Sequence, residues 1–295
     1  MIHAQPSRTA LRVALRRASH QLFDAEPLVF RDPLAVKILP AGQWEELSRT
    51  PKSRKRPFSA ALRAWMVTRA RFAEDTLAAR HEQGSVLQGP ASQGLAAQYL
   101  VLGAGLDTFA YRNPYSDVQV FEVDHPATQA WKQECLANAD ITIPPSMHFV
   151  PVDFERDSLV DQLTAAGFRW DTPTVIAWLG VVPYLTSEAF RTTMRALAQC
   201  APGTELVFDY AWPRHLLNED EQRQRDSISE RVAQVGEPFQ LFFSEQELAN
   251  EVAACGWKLC EALGSSDLNA RYLSDRSDDL VLRGDSARLA RVEHA

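Results

Sequence analysis

The sequence is poor in the features that would set it apart from ordinary globular proteins. Its four cysteines, Cys135, Cys200, Cys255 and Cys260, are scattered through 295 residues without a C-x-x-C pair, and no histidine stands at ligand spacing around them. That pattern argues against a disulfide framework and for reduced thiols of a cytosolic protein, and no metal site is expected from it. Positive charge is not in excess: 31 Lys and Arg against 38 Asp and Glu give 31 − 38 = −7. Neither nucleic acid nor an anionic membrane surface is therefore an expected partner. No run of about 18 apolar residues occurs, so no membrane span is expected. Arg8, Arg12, Arg16 and Arg17 alternate with short apolar residues and are not followed by the apolar stretch of a signal peptide. A cytoplasmic location is the expectation. What is present, 45% hydrophobic and 23% charged residues, is enough for a large core, since a chain of this size buries roughly 75% of its unfolded surface.

Two textures follow one another. Residues 1–90 are rich in Arg and Ala and hold no convincing strand. Leu11, Leu15, Ala18 and Leu22 predict an amphipathic helix, a second is expected over Pro33–Leu39 with Asp32 as cap, and a third over Phe58–His81. The basic run Pro51–Pro57 reads as a solvated loop, and Gly84–Gly94 as another. From residue 98, short β-branched or aromatic runs at Tyr99–Leu102, Val118–Val123, His148–Val152, Thr174–Leu179 and Leu206–Tyr210 alternate with helical segments at Thr128–Ala139, Asp157–Ala166 and Ser187–Cys200. Such alternation predicts a parallel sheet covered on both faces. Pro213–Val235 is polar and helix-prone, Ser244 with Glu247 forms a capping-box signature, and Trp257–Leu263 and Asp279–Leu282 are the expected last strands.

The chemistry is concentrated in Tyr99–Thr108, a buried strand running into Gly103-Ala104-Gly105, with Asp107 shortly after. Glycines there let the backbone turn tightly and approach a ligand. Thr108 stands where a dinucleotide fingerprint has its third glycine. A second strand ends in Glu122 and Asp124, 17 and 19 residues after Gly105, about the spacing at which an acid meets ribose hydroxyls. These residues leave a nicotinamide-dependent oxidoreductase and an S-adenosylmethionine enzyme both open. The missing glycine tilts toward the latter, whose cofactor has no pyrophosphate to seat.

The stretches YLVLGAGLDTFAYR, VFEVDHP, PVDF, IAWLGVVPYLTSEAF and APGTELVFDY, with RDPLAVKIL and RARFAEDTL upstream, resemble the leucine carboxyl methyltransferase family and its bacterial relatives, S-adenosylmethionine-dependent O-methyltransferases often associated with polyketide and other secondary metabolism. The resemblance covers about residues 24–260. It implies an α/β class I (Rossmann-like) methyltransferase fold: a doubly wound, mostly parallel seven-stranded sheet, with a helical N-terminal cap over residues 1–90, a core over 91–295 and a lid at about 211–243 after the fifth strand. It implies that Gly103, Ala104 and Gly105 lie under the methionine part of S-adenosylmethionine, and that Asp124, followed by His125, holds the ribose. Asp153 and Phe154 would flank the adenine, and Arg69 or Arg71 would pair with the methionine carboxylate. Asp107, Trp178 and Leu179 also fall at the cofactor. Eukaryotic members carry a glutamate where Leu179 stands, so here the cofactor's amino group would fall to backbone carbonyls or another acid.

Each position has a structural alternative. Asp107 can cap the turn after the glycines, Arg112 can pair with an acid such as Glu122, Arg71 with Asp75 one helical turn on, and His125 can turn the chain with Pro126. Trp178 and Tyr184 divide between core and pocket wall. Tyr184, Tyr210, Trp212, His215 and Phe242 are the expected lining of an acceptor pocket, with Tyr184, Tyr210 and His215 as positioning candidates. A carboxylate, with a pKa of ~4, needs no general base at pH 7, whereas a phenol at ~10 benefits from one. The expected acceptor is an apolar small molecule methylated on a carboxylate or hydroxyl, leaving S-adenosylhomocysteine. A non-catalytic cofactor-binding relative and a protein C-terminal carboxyl methyltransferase remain as alternatives, and monomer and homodimer are both open.

Overall fold

The structure, a computed structural model, describes residues 7–43, 47, 57–86, 98–154, 156–233, 238–278 and 280–294. The chain runs α1 (Arg8–Phe23), α2 (Pro57–Val86), β1 (Gln98–Leu102), β2 (Gln119–Asp124), α3 (Pro126–Asn138), β3 (Met147–Pro151), α4 (Leu159–Ala165), β4 (Thr174–Trp178), α5 (Ser187–Leu197), β5 (Glu205–Ala211), α6 (Glu219–Ala233), α7 (Glu245–Ala253), β6 (Trp257–Leu263), α8 (Ser265–Tyr272) and β7 (Ala287–His294). The seven strands lie in the order β3-β2-β1-β4-β5-β7-β6, with β7 antiparallel to both neighbours. This is the doubly wound, mostly parallel sheet of the class I methyltransferase fold. No helix among the described residues is long and apolar enough to cross a membrane.

By its contacts the chain divides into two compact units, the first comprising Met1–Glu74, Gly103–Phe168 and Leu268–Arg283, the second Asp75–Leu102, Arg169–Asp267 and Gly284–Ala295. In the first, the Ser7 side chain caps α1 by accepting from the Ala10 N–H at 3.1 Å, satisfying one of the helix's orphan donors. The apolar stripe of α1 then buries Ala14 and Ala18 against Ile38, Leu39, Leu106 and Leu136. Asp24, at the end of α1, receives His20 Nδ1 at 2.7 Å and the Arg63 guanidinium of α2 at 2.6 and 2.7 Å. β2 and β3 pair in parallel, with Asp124 opposite Pro151. Far along the chain, the Asp278 carboxylate accepts from the Ala25 N–H at 2.8 Å and Arg276 donates to the Ala25 carbonyl at 2.8 Å.

In the second unit β1, β4 and β5 are buried along their whole length, which is why they read as unbroken apolar runs rather than alternating ones. Trp178 stacks on Phe190 at 5.8 Å. The capping box at Ser244 forms as expected, with reciprocal bonds between the Ser244 and Glu247 side chains and backbones.

Three expectations are corrected. The last strand is β7, not Asp279–Leu282. Leu280 and Leu282 are buried, but the Leu282 N–H and carbonyl are both bonded by the Asn269 side chain, at 2.9 and 3.0 Å, so a side chain rather than a sheet ladder satisfies that backbone. Pro33–Leu39 is a series of turns, not a helix; the Asp32 side chain bonds Leu34 N–H at 3.1 Å, and this local competitor favours a turn. α2 continues past His81 through Gly84 to Val86. Most of the expected loops at 51–57 and 84–94, and residues 234–237 of the expected lid, lie outside the described residues.

Candidate active site

The turn after β1 is shaped by backbone needs. Gly103 and Gly105 have φ of +69° and +50°, a region that costs an L side chain about 1–2 kcal/mol. The N–H groups of Gly103 and Ala104 both donate to the Val123 carbonyl, at 2.8 and 3.1 Å. The Gly105 N–H donates to Asp124 Oδ2 at 2.7 Å, and Asp107 N–H to the Ala104 carbonyl at 2.8 Å. The turn therefore directs these donors at its own protein, where a phosphate-binding loop leaves them free for an anion. A Cβ built on Gly105 would stand 2.9 Å from the Ala10 Cβ of α1, so the N-terminal helix rests directly on this turn. Gly105→Ala is expected to lower stability by about 2–4 kcal/mol, from backbone strain and the overlap together. Ala10→Gly in the same chain should recover the overlap part only. Denaturant unfolding of the two variants checks this; equal stability of Gly105→Ala and wild type would show that the contact is absent.

Asp124 closes β2, and each of its oxygens takes one backbone donor, Oδ2 from Gly105 and Oδ1 from His125 at 2.7 Å. Burial raises its carboxyl above the ordinary range, against the two N–H donors that favour the ionised form. A carboxylate oxygen can accept more than one hydrogen bond, so both keep capacity for ligand hydroxyls. His125 accepts from the Ala127 N–H through Nδ1 at 3.2 Å and caps α3. Glu122, two residues earlier, is engaged within the protein: Lys132 of α3 meets its Oε2 at 2.5 Å, both side chains being buried.

Behind the turn lies a buried ion network. Arg17 of α1 donates to Asp107 Oδ2 at 3.0 Å, Asp32 Oδ2 at 2.6 Å and Thr108 Oγ1 at 2.9 Å. Arg112 binds Glu74 of α2, with one contact at 2.8 Å, and approaches Asp32 Oδ1 at 3.5 Å. The two guanidiniums lie over the Phe30 ring at 5.4 and 4.9 Å from its centroid. The expected Arg112–Glu122 pair is thus replaced, because Glu122 is taken by Lys132 and Arg112 turns to α2. Asp107 accepts from the Phe109 N–H at 2.8 Å, an internal hydrogen bond, while Thr108 stands at the N-cap position of the short turn that follows. Asp107 is held below the ordinary carboxylate range: burial opposes ionisation, and Arg17 with Lys132 and Arg112 outweighs it. Glu74 is shifted upward, with burial prevailing over Arg112.

The remaining cofactor positions sort by burial. Arg69 on α2 is buried whereas Arg71 is exposed. Asp153 is half-buried, its backbone N–H bonded to Asp157 at 2.8 Å. Phe154 stands 54% exposed, unusual for a phenyl ring on a surface.

In the second unit, Trp178 is 2% exposed and belongs to the core. Leu179 follows it, and then Gly180 at φ +75°. The Gly180 N–H donates to Asp209 Oδ1 of β5, the same carboxylate-on-glycine device that joins Asp124 to Gly105. Tyr210 is fully buried, Trp212, Tyr184 and Phe242 are half-buried, and His215 is exposed. Tyr210 and Trp212 sit 6.4 Å apart between ring centroids, and Tyr184 packs on Phe239 at 5.2 Å. The sequence marks Asp32 only as a helix cap and Arg17 only as one of a series of N-terminal arginines, and it does not mark Glu74, Lys132 or Asp209, nor Arg225 and Arg288, which stack on Phe242 and Trp212.

The profile of the leucine carboxyl methyltransferase family matches residues 10–198, from α1 through α5. The chain belongs to that family. It is an S-adenosylmethionine-dependent methyltransferase by that membership. A Bacillus subtilis (strain 168) relative, named "Putative S-adenosyl-L-methionine-dependent methyltransferase YktD", is 32% identical over 289 residues, 94% of each chain. Rv3399 of Mycobacterium tuberculosis (strain ATCC 25618 / H37Rv), of the same description, is 28% identical over 283 residues, 93% of this chain and 80% of its own. Among solved structures, the magnesium protoporphyrin IX methyltransferase of Synechocystis PCC 6803 overlaps 78% of this chain and 84% of its own at a TM-score of 0.44 and 12% identity, too slight a likeness to speak to chemistry. The family match spans the glycine turn, Asp124, Asp153 and Leu179 together with α1 and the Arg17 network.

Proposed function

We propose that this methyltransferase moves the methyl group of S-adenosylmethionine to a carboxylate or hydroxyl oxygen of a small-molecule acceptor. The observation that carries the cofactor reading is the glycine turn, whose Gly103, Ala104 and Gly105 N–H groups are bound to Val123 and Asp124. A pyrophosphate needs such donors free, and a cofactor without phosphate does not. The residues present fit S-adenosylmethionine in other respects too. Asp124 keeps acceptor capacity for two ribose hydroxyls, and Phe154 offers an exposed ring beside Asp153 for an adenine face and its amino group. Of the two candidate arginines, we assign the methionine carboxylate to Arg69, which is buried on α2 where Arg71 is exposed to water.

When bound, S-adenosylmethionine supplies an electrophilic methyl group. The chain's contribution is to hold ligands in line and keep water out, which can amount to about 7–11 kcal/mol where alignment is best. The two candidate bases, His125 and His215, favour an acceptor that is already ionised. His125 is a helix cap, His215 is exposed, and both ring nitrogens of the buried His20 are engaged, with Asp24 at 2.7 Å and the Phe30 N–H at 3.3 Å. A carboxylate needs no base at pH 7. Titration calorimetry with S-adenosylmethionine and NAD tests the cofactor, and methyl release from a panel of carboxylic acids and phenols tests the acceptor. S-adenosylmethionine is expected to bind at least tenfold more tightly than NAD, with base-labile methyl esters formed from acids. Tighter NAD binding would overturn the reading, and saturable cofactor binding with no methyl release from any acid or phenol would reduce the protein to a cofactor-binding relative.

A further inference from the structure

The second unit holds two guanidiniums set among aromatic rings and backbone carbonyls. Arg225 of α6 is 6% exposed, donates to the Trp212 carbonyl and stacks 4.3 Å over the Phe242 ring. Arg288 of β7 stacks 4.4 Å over the Trp212 ring and donates to the Ala262 carbonyl at 3.2 Å. Among the described residues neither arginine has a carboxylate within ion-pair distance. Asp226, next in sequence to Arg225, is bound by Arg214 at 2.9 and 3.1 Å, and Asp285 accepts from the Ser265 N–H at 2.7 Å. Two buried donors beside them also lack a partner among the described residues, the Tyr210 hydroxyl and Arg288 Nε. Tyr210 and Arg288 are paired directly across β5 and β7, so their side chains leave the sheet on one face, and Trp212 follows two residues on from Tyr210.

Guanidiniums among aromatic rings and orphaned donors in one apolar place call for an acceptor-only group, and a carboxylate matches the planar fork of an arginine. We propose that Arg225, Arg288 and the Tyr210 hydroxyl bind the carboxylate of the acceptor, with the rings of Trp212 and Phe242 against its apolar body. This rests on the methyl-transfer reading and narrows it to carboxylic acids. It also means that the uncharged methyl ester of the same acid is held poorly, because esterification removes the charge that the arginines answer. A phosphate group is the competing oxyanion, and the test separates the two.

The test is titration calorimetry of the full chain with benzoate, methyl benzoate and inorganic phosphate, each with and without saturating S-adenosylhomocysteine. Benzoate is expected to saturate, with methyl benzoate at least tenfold weaker and phosphate weaker than benzoate. Arg225→Met and Arg288→Met should each weaken benzoate at least tenfold while S-adenosylhomocysteine affinity stays within twofold. Tyr210→Phe keeps the ring and removes only the orphaned hydroxyl, so it should weaken benzoate threefold to tenfold without lowering the melting temperature, and it decides the matter even if an arginine variant fails to fold. Equal binding of benzoate and its ester, benzoate affinity unchanged in both Tyr210→Phe and Arg288→Met, or tighter phosphate binding would overturn the assignment. S-adenosylhomocysteine binding without saturable benzoate binding would sink the carboxylate site and leave the methyl-transfer reading standing. Benzoate binding with no affinity for S-adenosylhomocysteine would do the reverse.

Discussion

Asp124→Ala is expected to weaken S-adenosylmethionine binding by at least a hundredfold while leaving the protein folded. Hydrogen bonds to a charged group contribute about 1.5–3 kcal/mol each, so losing two ribose hydroxyls costs roughly 3–6 kcal/mol, and each 1.4 kcal/mol is a factor of ten. The fold loses less. The His125 N–H that Asp124 accepts is half-exposed and can turn to water, while the buried Gly105 N–H is left unpaired at about 1–3 kcal/mol. Asp124→Asn is the sharper variant. An amide has one acceptor oxygen, so its NH2 must face either the Gly105 or the His125 donor. It should therefore loosen the glycine turn as well as the ribose contact and bind the cofactor no better than the alanine variant. Calorimetry with S-adenosylhomocysteine reads both. Unchanged affinity in a folded Asp124→Ala protein would remove Asp124 from the site.

Arg17→Met is expected to cost about 3–5 kcal/mol of stability, the range for deleting one partner of a buried ion network. Among Arg17, Arg112, Asp32, Asp107 and Glu74 the formal sum is already 2 − 3 = −1, and burial holds the Glu74 carboxyl up. Removing Arg17 leaves three acids facing one guanidinium, with Asp32 fully buried. Arg17→Lys should recover only part of the loss, since one ammonium cannot serve three acceptors with a guanidinium's geometry. Arg17→Met with Asp32→Leu should be more stable than Arg17→Met alone, because the orphaned charge goes with its partner. Urea unfolding of the three variants distinguishes these outcomes, and a loss under about 1 kcal/mol for Arg17→Met would mean that water reaches the network.

The parts of this molecule that were legible in its sequence are those fixed by local chemistry. The parallel strands could be read because strands buried on both faces are continuously apolar, and the Ser244 capping box because its two side chains answer each other within three residues. β7 was hidden: Arg288, Arg291 and Glu293 interrupt it, since an antiparallel strand among polar cross-strand partners tolerates charge that a central parallel strand does not. The site divides in the same way. Gly103, Gly105 and Asp124 stand out by spacing along two consecutive strands. Arg17 and Asp32 act on Asp107 and Thr108 from far upstream, and no local pattern joins them. One signal was nonetheless present, an arginine at position 17 on the same helical face as Ala14 and Ala18, where a charge must find a buried partner. Asp209 and Asp124 share the carboxylate-on-glycine device, and only Asp124 lies at the familiar spacing.

The seat of α1 on the glycine turn also sets a timetable. Arg17 leaves the ribosome 90 residues before Asp107, which at about 5–20 residues per second is an interval of roughly 5–18 s. The Ala25 N–H waits 253 residues for Asp278, roughly 13–50 s at the same rate. Throughout the first interval α1 has Asp32 and the Ile38–Leu39 stretch within reach, but not Asp107, Thr108 or the glycine turn it packs on. A nascent chain of this protein is therefore most in need of chaperone cover over α1 until the glycine turn has been made.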